Sequence, residues 1–269
     1  LLGNSASREK QAVWSPDGKW IAYLSDRTGE EEVYLTPAAG GPGEWRQLTS
    51  EGLGFRMHLE WSPDSRFLLF ADKFMRLNLL DVLTTERVIL DQGEFDDGWE
   101  RWGIQDYVWS PCSRWVAYSK MEPNMNESVF LYSLDSGQAS RVTSAATEDW
   151  SPSFDPDGKL LYFLSNRTFE PVMGLVDQNH VYLDITRPYA VVLAAGVASP
   201  FAPENPTDPG IADEDEGADK KKDKKKDAPT VTAIDLAGID RRTVVVPGVE
   251  AGRYYRLEAT RDGFLYLSM

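Results

Sequence analysis

Few residues in this chain have types and spacings suited to covalent chemistry. The only histidines are His58 and His180 and the only cysteine is Cys112, so an internal disulfide and a Cys/His zinc cluster are both excluded. No Gly-x-Ser-x-Gly elbow occurs, and no serine near either histidine carries a nucleophile motif, so no catalytic residue is assigned. Asp17, Asp64 and Asp157 recur in equivalent surroundings, where a carboxylate that hydrogen-bonds nearby backbone accounts for them better than a metal ligand does. The acidic groups Asp96-Asp97/Glu100 and 213–216 lack the Asp-x-Asp-x-Asp-Gly order of a calcium loop and read as solvated loop. The remaining chemistry is recognition. Arg56 with His58, Arg101 with Trp102, Glu148 with Trp150, and Arg253 with Tyr254 combine charge with a ring, and an arginine fork can grip a carboxylate through two hydrogen bonds.

The elements that position these groups are set by one phrase: Trp14-Ser-Pro-Asp-Gly18, Trp61-Ser-Pro-Asp-Ser65, Trp109-Ser-Pro-Cys-Ser113 and Phe154-Asp-Pro-Asp-Gly158. The anchor rings stand 47, 48 and 45 residues apart, the period of a four-stranded propeller blade. Pro fixes φ at the second turn position, and Asp followed by Gly or Ser closes a tight reversal. An apolar run follows each phrase, as in Trp20-Ile-Ala-Tyr-Leu24 and Phe67-Leu-Leu-Phe70, so each unit is a hairpin of strands. Trp14, Trp61 and Trp109 are expected to pack between adjacent sheets as core. The recognition pairs stand just before each innermost strand, where they would line a central channel.

The expected fold is all-β, a partial β-propeller of about four four-stranded blades plus half of a fifth, from a ring of six or seven. Blades are expected at about 11–49, 58–90, 106–143 and 150–247, with a partial blade at 253–269. In the fourth, strands are expected at 160–165, 180–185, 230–236 and 243–247. A flexible insert is expected at 187–229, because its proline-rich start and its Asp/Glu and Lys/Asp blocks cannot bury enough surface to offset chain entropy.

With 42% hydrophobic and 12% aromatic residues among 269, the chain can bury a substantial core. A net charge of −15 repels nucleic-acid backbones and anionic membrane surfaces, and interleaved Asp weakens the field of the lysine run 220–226. No apolar run approaches the roughly 20 residues that span a bilayer. Neither nucleic acid nor membrane is an expected partner, and no cofactor is implied. The chain starts without Met and stops within Gly263-Phe-Leu-Tyr-Leu-Ser-Met269, which reads as a strand, so a fragment of a longer protein is expected.

Four further segments narrow the reading. Tyr162-Phe-Leu-Ser-Asn-Arg-Thr-Phe-Glu-Pro171, His180-Val-Tyr-Leu183, Ala198-Ser-Pro-Phe-Ala-Pro203 and Ile234-Asp-Leu-Ala-Gly-Ile-Asp-Arg-Arg-Thr-Val-Val-Val-Pro247 flank the charged insert. Together they resemble the second propeller of the tricorn protease family. The resemblance implies a large serine peptidase that degrades oligopeptides, with PDZ-like and catalytic domains absent from this chain. It implies a homo-oligomer (hexamer), a cytoplasmic location with the periplasm left open, and a propeller that guides peptides to or from the active site. Under it, Arg56, His58, Arg101, Trp102, Glu148, Trp150, Arg253 and Tyr254 are the candidate channel residues for oligopeptide substrates. Two other readings stay open on these residues: a non-enzymatic protein-binding propeller of the translocation-protein type, and the propeller of a prolyl-oligopeptidase-like enzyme.

Overall fold

The computed structural model describes residues 6–40, 44–52, 54–96, 103–168, 172–175, 179–202 and 231–268. Each turn phrase joins two antiparallel strands, and four antiparallel four-stranded sheets follow in order. The first holds β1 (Glu9–Trp14), β2 (Trp20–Ser25), β3 (Glu32–Pro37) and β4 (Arg46–Gln47). The second holds β5 (Arg56–Trp61), β6 (Phe67–Asp72), β7 (Arg76–Asp81) and β8 (Arg87–Gln92). The third holds β9 (Ile104–Trp109), β10 (Trp115–Met121), β11 (Glu127–Ser133) and β12 (Gln138–Arg141). The fourth opens with β13 (Asp149–Phe154) and β14 (Leu160–Ser165), then leaves the sheet for a small hairpin of β15 (Val172–Met173) and β16 (His180–Val181). It is completed by β17 (Arg187–Val192) and β18 (Thr243–Val245). A two-stranded sheet, β19 (Tyr254–Thr260) with β20 (Gly263–Ser268), begins a fifth blade. The sheets are therefore blades of a partial propeller, as the phrase spacing predicts.

Strand alternation explains how the blades adhere. Leu68 and Phe70 of β6 face the first blade, packing with Ala22, Leu24, Val33 and Leu35. Their neighbours Leu69 and Ala71 face the third, packing with Tyr107, Trp109 and Val116. Both faces of each middle blade are thus apolar, and the core consists of interleaved layers between sheets.

The turn phrase closes as its chemistry demands. The amide of its last residue donates to the carbonyl of its second: Gly18 to Ser15 at 2.9 Å and Gly158 to Asp155 at 2.9 Å. That last residue has left-handed φ in every copy, 70° at Gly18 and 67° at Gly158, which glycine adopts without penalty. Asp17 and Asp64 hydrogen-bond locally: Oδ1 of each accepts the amide two residues on at 3.1 Å. In the fourth copy Asp155 takes that task, accepting the amides of Lys159 at 2.6 Å and Leu160 at 2.5 Å, while Asp157 instead meets the Lys159 ammonium.

Three expectations are corrected. The third strand of the fourth blade is β17, not residues 180–185, and so residues 187–192 belong to the sheet and not to an insert. Ala190, Val191 and Val192 are fully buried or nearly so. Pro188, which cannot donate in a ladder, disguised the strand. Residues 231–236 form no strand; the Arg242 guanidinium instead bonds the Val192 carbonyl at 2.7 Å and the Leu193 carbonyl at 3.1 Å, and β18 provides the fourth strand. Trp14 is 61% exposed, whereas Trp61 and Trp109 are 5% and 7% exposed. Each anchor ring packs toward the preceding blade, as shown by Trp61 Nε1 donating to the Val13 carbonyl at 3.2 Å, and no blade precedes the first in this chain. The expected insert from 203 through 229 lies outside the described residues.

Candidate channel site

Every innermost strand carries the same irregularity. Three residues before each anchor position the chain enters the left-handed region, at Gln11 (φ 53°), His58 (46°), Asp106 (51°), Ser151 (54°) and, in the half blade, Arg256 (49°). The strand pairing breaks register around each of them. These are β-bulges, which re-aim a side chain and free backbone groups from the ladder. A non-glycine residue held there costs about 1–2 kcal/mol, so five matched instances must be compensated.

Side chains of one blade satisfy the freed backbone of another. The Tyr107 hydroxyl donates to the Met57 carbonyl at 2.8 Å, touches the His58 carbonyl and accepts the Ala71 amide at 3.1 Å. Asp106 Oδ2 accepts the Ser151 amide at 3.0 Å. Ser151 Oγ and Ser153 Oγ accept the amides of Leu257 and Ala259, both at 2.9 Å. The bulges of β5, β9, β13 and β19 are therefore tied into one arc.

That arc encloses a cavity of ≈ 500 Å³ on the axial side of the blades. His58, Glu60, Asp106, Ser151, Arg256 and Glu258 supply its polar groups. The Glu60 side chain lines the cavity and is exposed to it. Burial, reinforced by the negative charge of Glu258, pushes its pKa up to about 7. Burial also raises the pKa of Asp106, against the Ser151 amide bond and the positive fields of Arg256 and His58. Burial likewise pushes the Tyr107 phenol upward. The site can therefore bind and orient charged groups.

Of the expected channel residues that are described, only His58 lines this cavity. Arg56 is 1% exposed and bonded to Glu32 at 2.8 Å and Glu51 at 2.9 Å, so its guanidinium is committed to the fold. Glu148 accepts from Asn166 at 2.5 Å, and Trp150 packs on the apolar layer between the fourth and fifth blades. Arg253 pairs with Asp184 at 3.3 Å, and the Tyr254 hydroxyl donates to the Glu250 carbonyl at 2.8 Å. Arg101 and Trp102 lie outside the described residues, as do Asp97 and Glu100. Sequence reasoning missed Glu60, Asp106, Ser151, Arg256 and Glu258. Their signal was their place one or three residues before each anchor position, polar side chains inside otherwise apolar inner strands.

These blades and their axial cavity define the chain as a propeller segment whose inner strands line a polar cavity. It belongs to the tricorn protease family, matching the second beta propeller domain of tricorn protease over residues 2–269. It is 33% identical to Tricorn protease homolog 1 of Streptomyces coelicolor over 93% of this chain and 23% of that relative. It is 30% identical to Tricorn protease of Thermoplasma volcanium over 70% of this chain and 17% of that relative. The crystal structure of the tricorn protease superposes on 96% of this chain and 23% of its own with a TM-score of 0.74 at 17% identity, a likeness of fold. The chain thus spans less than a quarter of these relatives.

Proposed function

We propose that this chain is the peptide-conducting propeller of a tricorn-type serine peptidase that degrades oligopeptides. Catalysis belongs to other parts of the longer protein, a cytoplasmic homo-oligomer of hexameric form whose PDZ-like and catalytic domains stand beyond this propeller. The cavity between β5, β9, β13 and β19 carries the reading, because it brings hydrogen-bonding and charged groups from four blades to one axial wall. A peptide passing there exchanges its water for those groups while blade packing stays intact. The family membership supports the peptidase context.

The test is a peptidase assay of the full-length protein on fluorogenic di- to tetrapeptides, with and without a serine-reactive inhibitor, beside this 269-residue chain alone. Cleavage by the full-length protein, its loss on inhibition and an inert chain are the expected results. An inert full-length protein that retains a protein partner would overturn the proposal.

A further inference from the structure

We propose that Tyr107 is a positioning residue, whose hydroxyl holds the β5 bulge in the conformation that presents His58 to the cavity. The proposal deepens the reading of this cavity as a peptide path and rests on it. Its starting point is the rung of the β5–β6 ladder at which the phenol stands. Met57 of β5 faces Ala71 of β6 in the strand register. Two positions along, the Lys73 amide donates to the Phe55 carbonyl at 3.2 Å. Bonded pairs alternate along an antiparallel ladder, which makes Met57 and Ala71 the next bonded pair. The Tyr107 hydroxyl reaches this pair from the neighbouring blade, accepting the Ala71 amide at 3.1 Å and donating to the Met57 carbonyl at 2.8 Å. It also touches the carbonyl of His58, the residue held at φ 46°.

This contact differs in kind from those at the other bulges. On β13 and β19 the neighbouring blade bonds an amide, that of Ser151 or that of Leu257. On β5 it meets the two carbonyls that flank the left-handed Cα, one in the peptide group before His58 and one in the peptide group after it. Holding both peptide groups fixes φ and ψ of the residue between them. One phenolic proton serves the two carbonyls in turn. Tyr107, Met57 and Ala71 are all buried, so the protein itself must supply these bonds.

The consequence falls on His58, which lines the cavity. Extended backbone at residue 58 would turn its imidazole off the axis, because side chains of a strand alternate between faces. The Tyr107 hydroxyl therefore decides whether a passing peptide meets an imidazole at this point of the wall. Occupied by three backbone groups, that hydroxyl acts on the peptide through His58.

The experiment labels the histidines of the full-length protein with diethyl pyrocarbonate, read at His58 and His180 by mass spectrometry, in parent and Tyr107→Phe. Labelling of His58 is expected to slow by about threefold or more, and that of His180 to stay within about twofold. Peptide kinetics on the same proteins separate positioning from packing. The ratio of kcat/KM for a decapeptide to that for a dipeptide should shift in Tyr107→Phe as it does in His58→Ala, and combining the two should add no further shift. Equal losses for both substrates would mark a purely structural role and overturn the proposal. So would unchanged labelling of His58, or a shift from Tyr107→Phe that persists beside His58→Ala. Glycine holds left-handed φ without help, so if Tyr107→Phe alone does not fold, His58→Gly should restore folding; no recovery would overturn the proposal. If peptides are cleaved while His58 labelling is unchanged, the proposal fails and the peptidase reading stands. If no peptide is cleaved, the peptidase reading fails, and slower labelling confined to His58 still upholds the role of Tyr107 at the bulge.

Discussion

Ser65 Oγ accepts a hydrogen bond from the Asp17 amide at 3.0 Å, linking two turn phrases 48 residues apart. Ser113 repeats the contact one blade on, accepting the Asp64 amide at 3.1 Å. Both serines hold left-handed φ, 60° and 58°, where the other two copies of the phrase have glycine. The hydroxyl offsets the backbone strain by joining adjacent blades. Ser65→Ala keeps the strain and loses the bond, so chemical denaturation should show a loss of about 1 kcal/mol. Ser65→Gly loses the bond but relieves the strain and should be nearly neutral. Equal losses in the two variants would refute the trade.

Arg56 predicts a larger effect. Its buried guanidinium faces Glu32, itself 2% exposed, and Glu51, which also binds Arg87 at 2.8 Å. Arg56→Met strands the Glu32 carboxylate without its cation and should cost about 3–5 kcal/mol. Adding Glu32→Gln should recover a measurable part, because the stranded charge is then gone. Thermal unfolding of the single and double variants checks both statements.

How much of this was legible in the sequence follows from which forces are local. Pro16, Pro63, Pro111 and Pro156 fix their turns through their own φ, and the apolar runs after them alternate in step with the sheets, so the inner hairpin of each blade could be read directly. The fourth blade could not. Pro188 interrupts its third strand, a small hairpin at Val172–Met173 and His180–Val181 intervenes, and the fourth strand depends on Arg242 reaching carbonyls 49 and 50 residues back. The cavity wall was hidden for another reason. The expected lining stood just before each inner strand, but bulges at His58, Asp106, Ser151 and Arg256 turn mid-strand residues to the axis, and only hydrogen bonds between blades specify them.

Glu60 sets a pH dependence of stability. Its pKa in the folded chain is about 7 against an ordinary value of 4.5, so the folded state binds more protons between those limits. Stability from this group therefore falls as pH rises through that window and levels off above it. Glu60→Gln should match the parent near the lower limit and exceed it near pH 8 by at most about 1 kcal/mol, since cavity water screens the charge. Urea unfolding across the window would expose an error of sign: a variant less stable than the parent at the higher pH contradicts the assignment.

The anchor rings should divide by burial. In the 269-residue chain Trp61→Ala empties a site between two blades and should cost about 3–5 kcal/mol. Trp14→Ala at the exposed flank should change stability by no more than about 0.5 kcal/mol. Parallel denaturation curves check the contrast, and equal losses would mean that Trp14 has a packing partner in solution.

The central claim is that peptides travel through the axial cavity of this propeller, and narrowing it is the most direct test. Val108 lines the cavity one residue before the Trp109 anchor, and Val108→Trp would fill part of its volume. In the full-length protein, kcat/KM for a decapeptide should fall by about tenfold or more while that for a dipeptide reporter changes little. Equal kcat/KM ratios for the two substrates in parent and variant, with the fold shown intact, would contradict the claim.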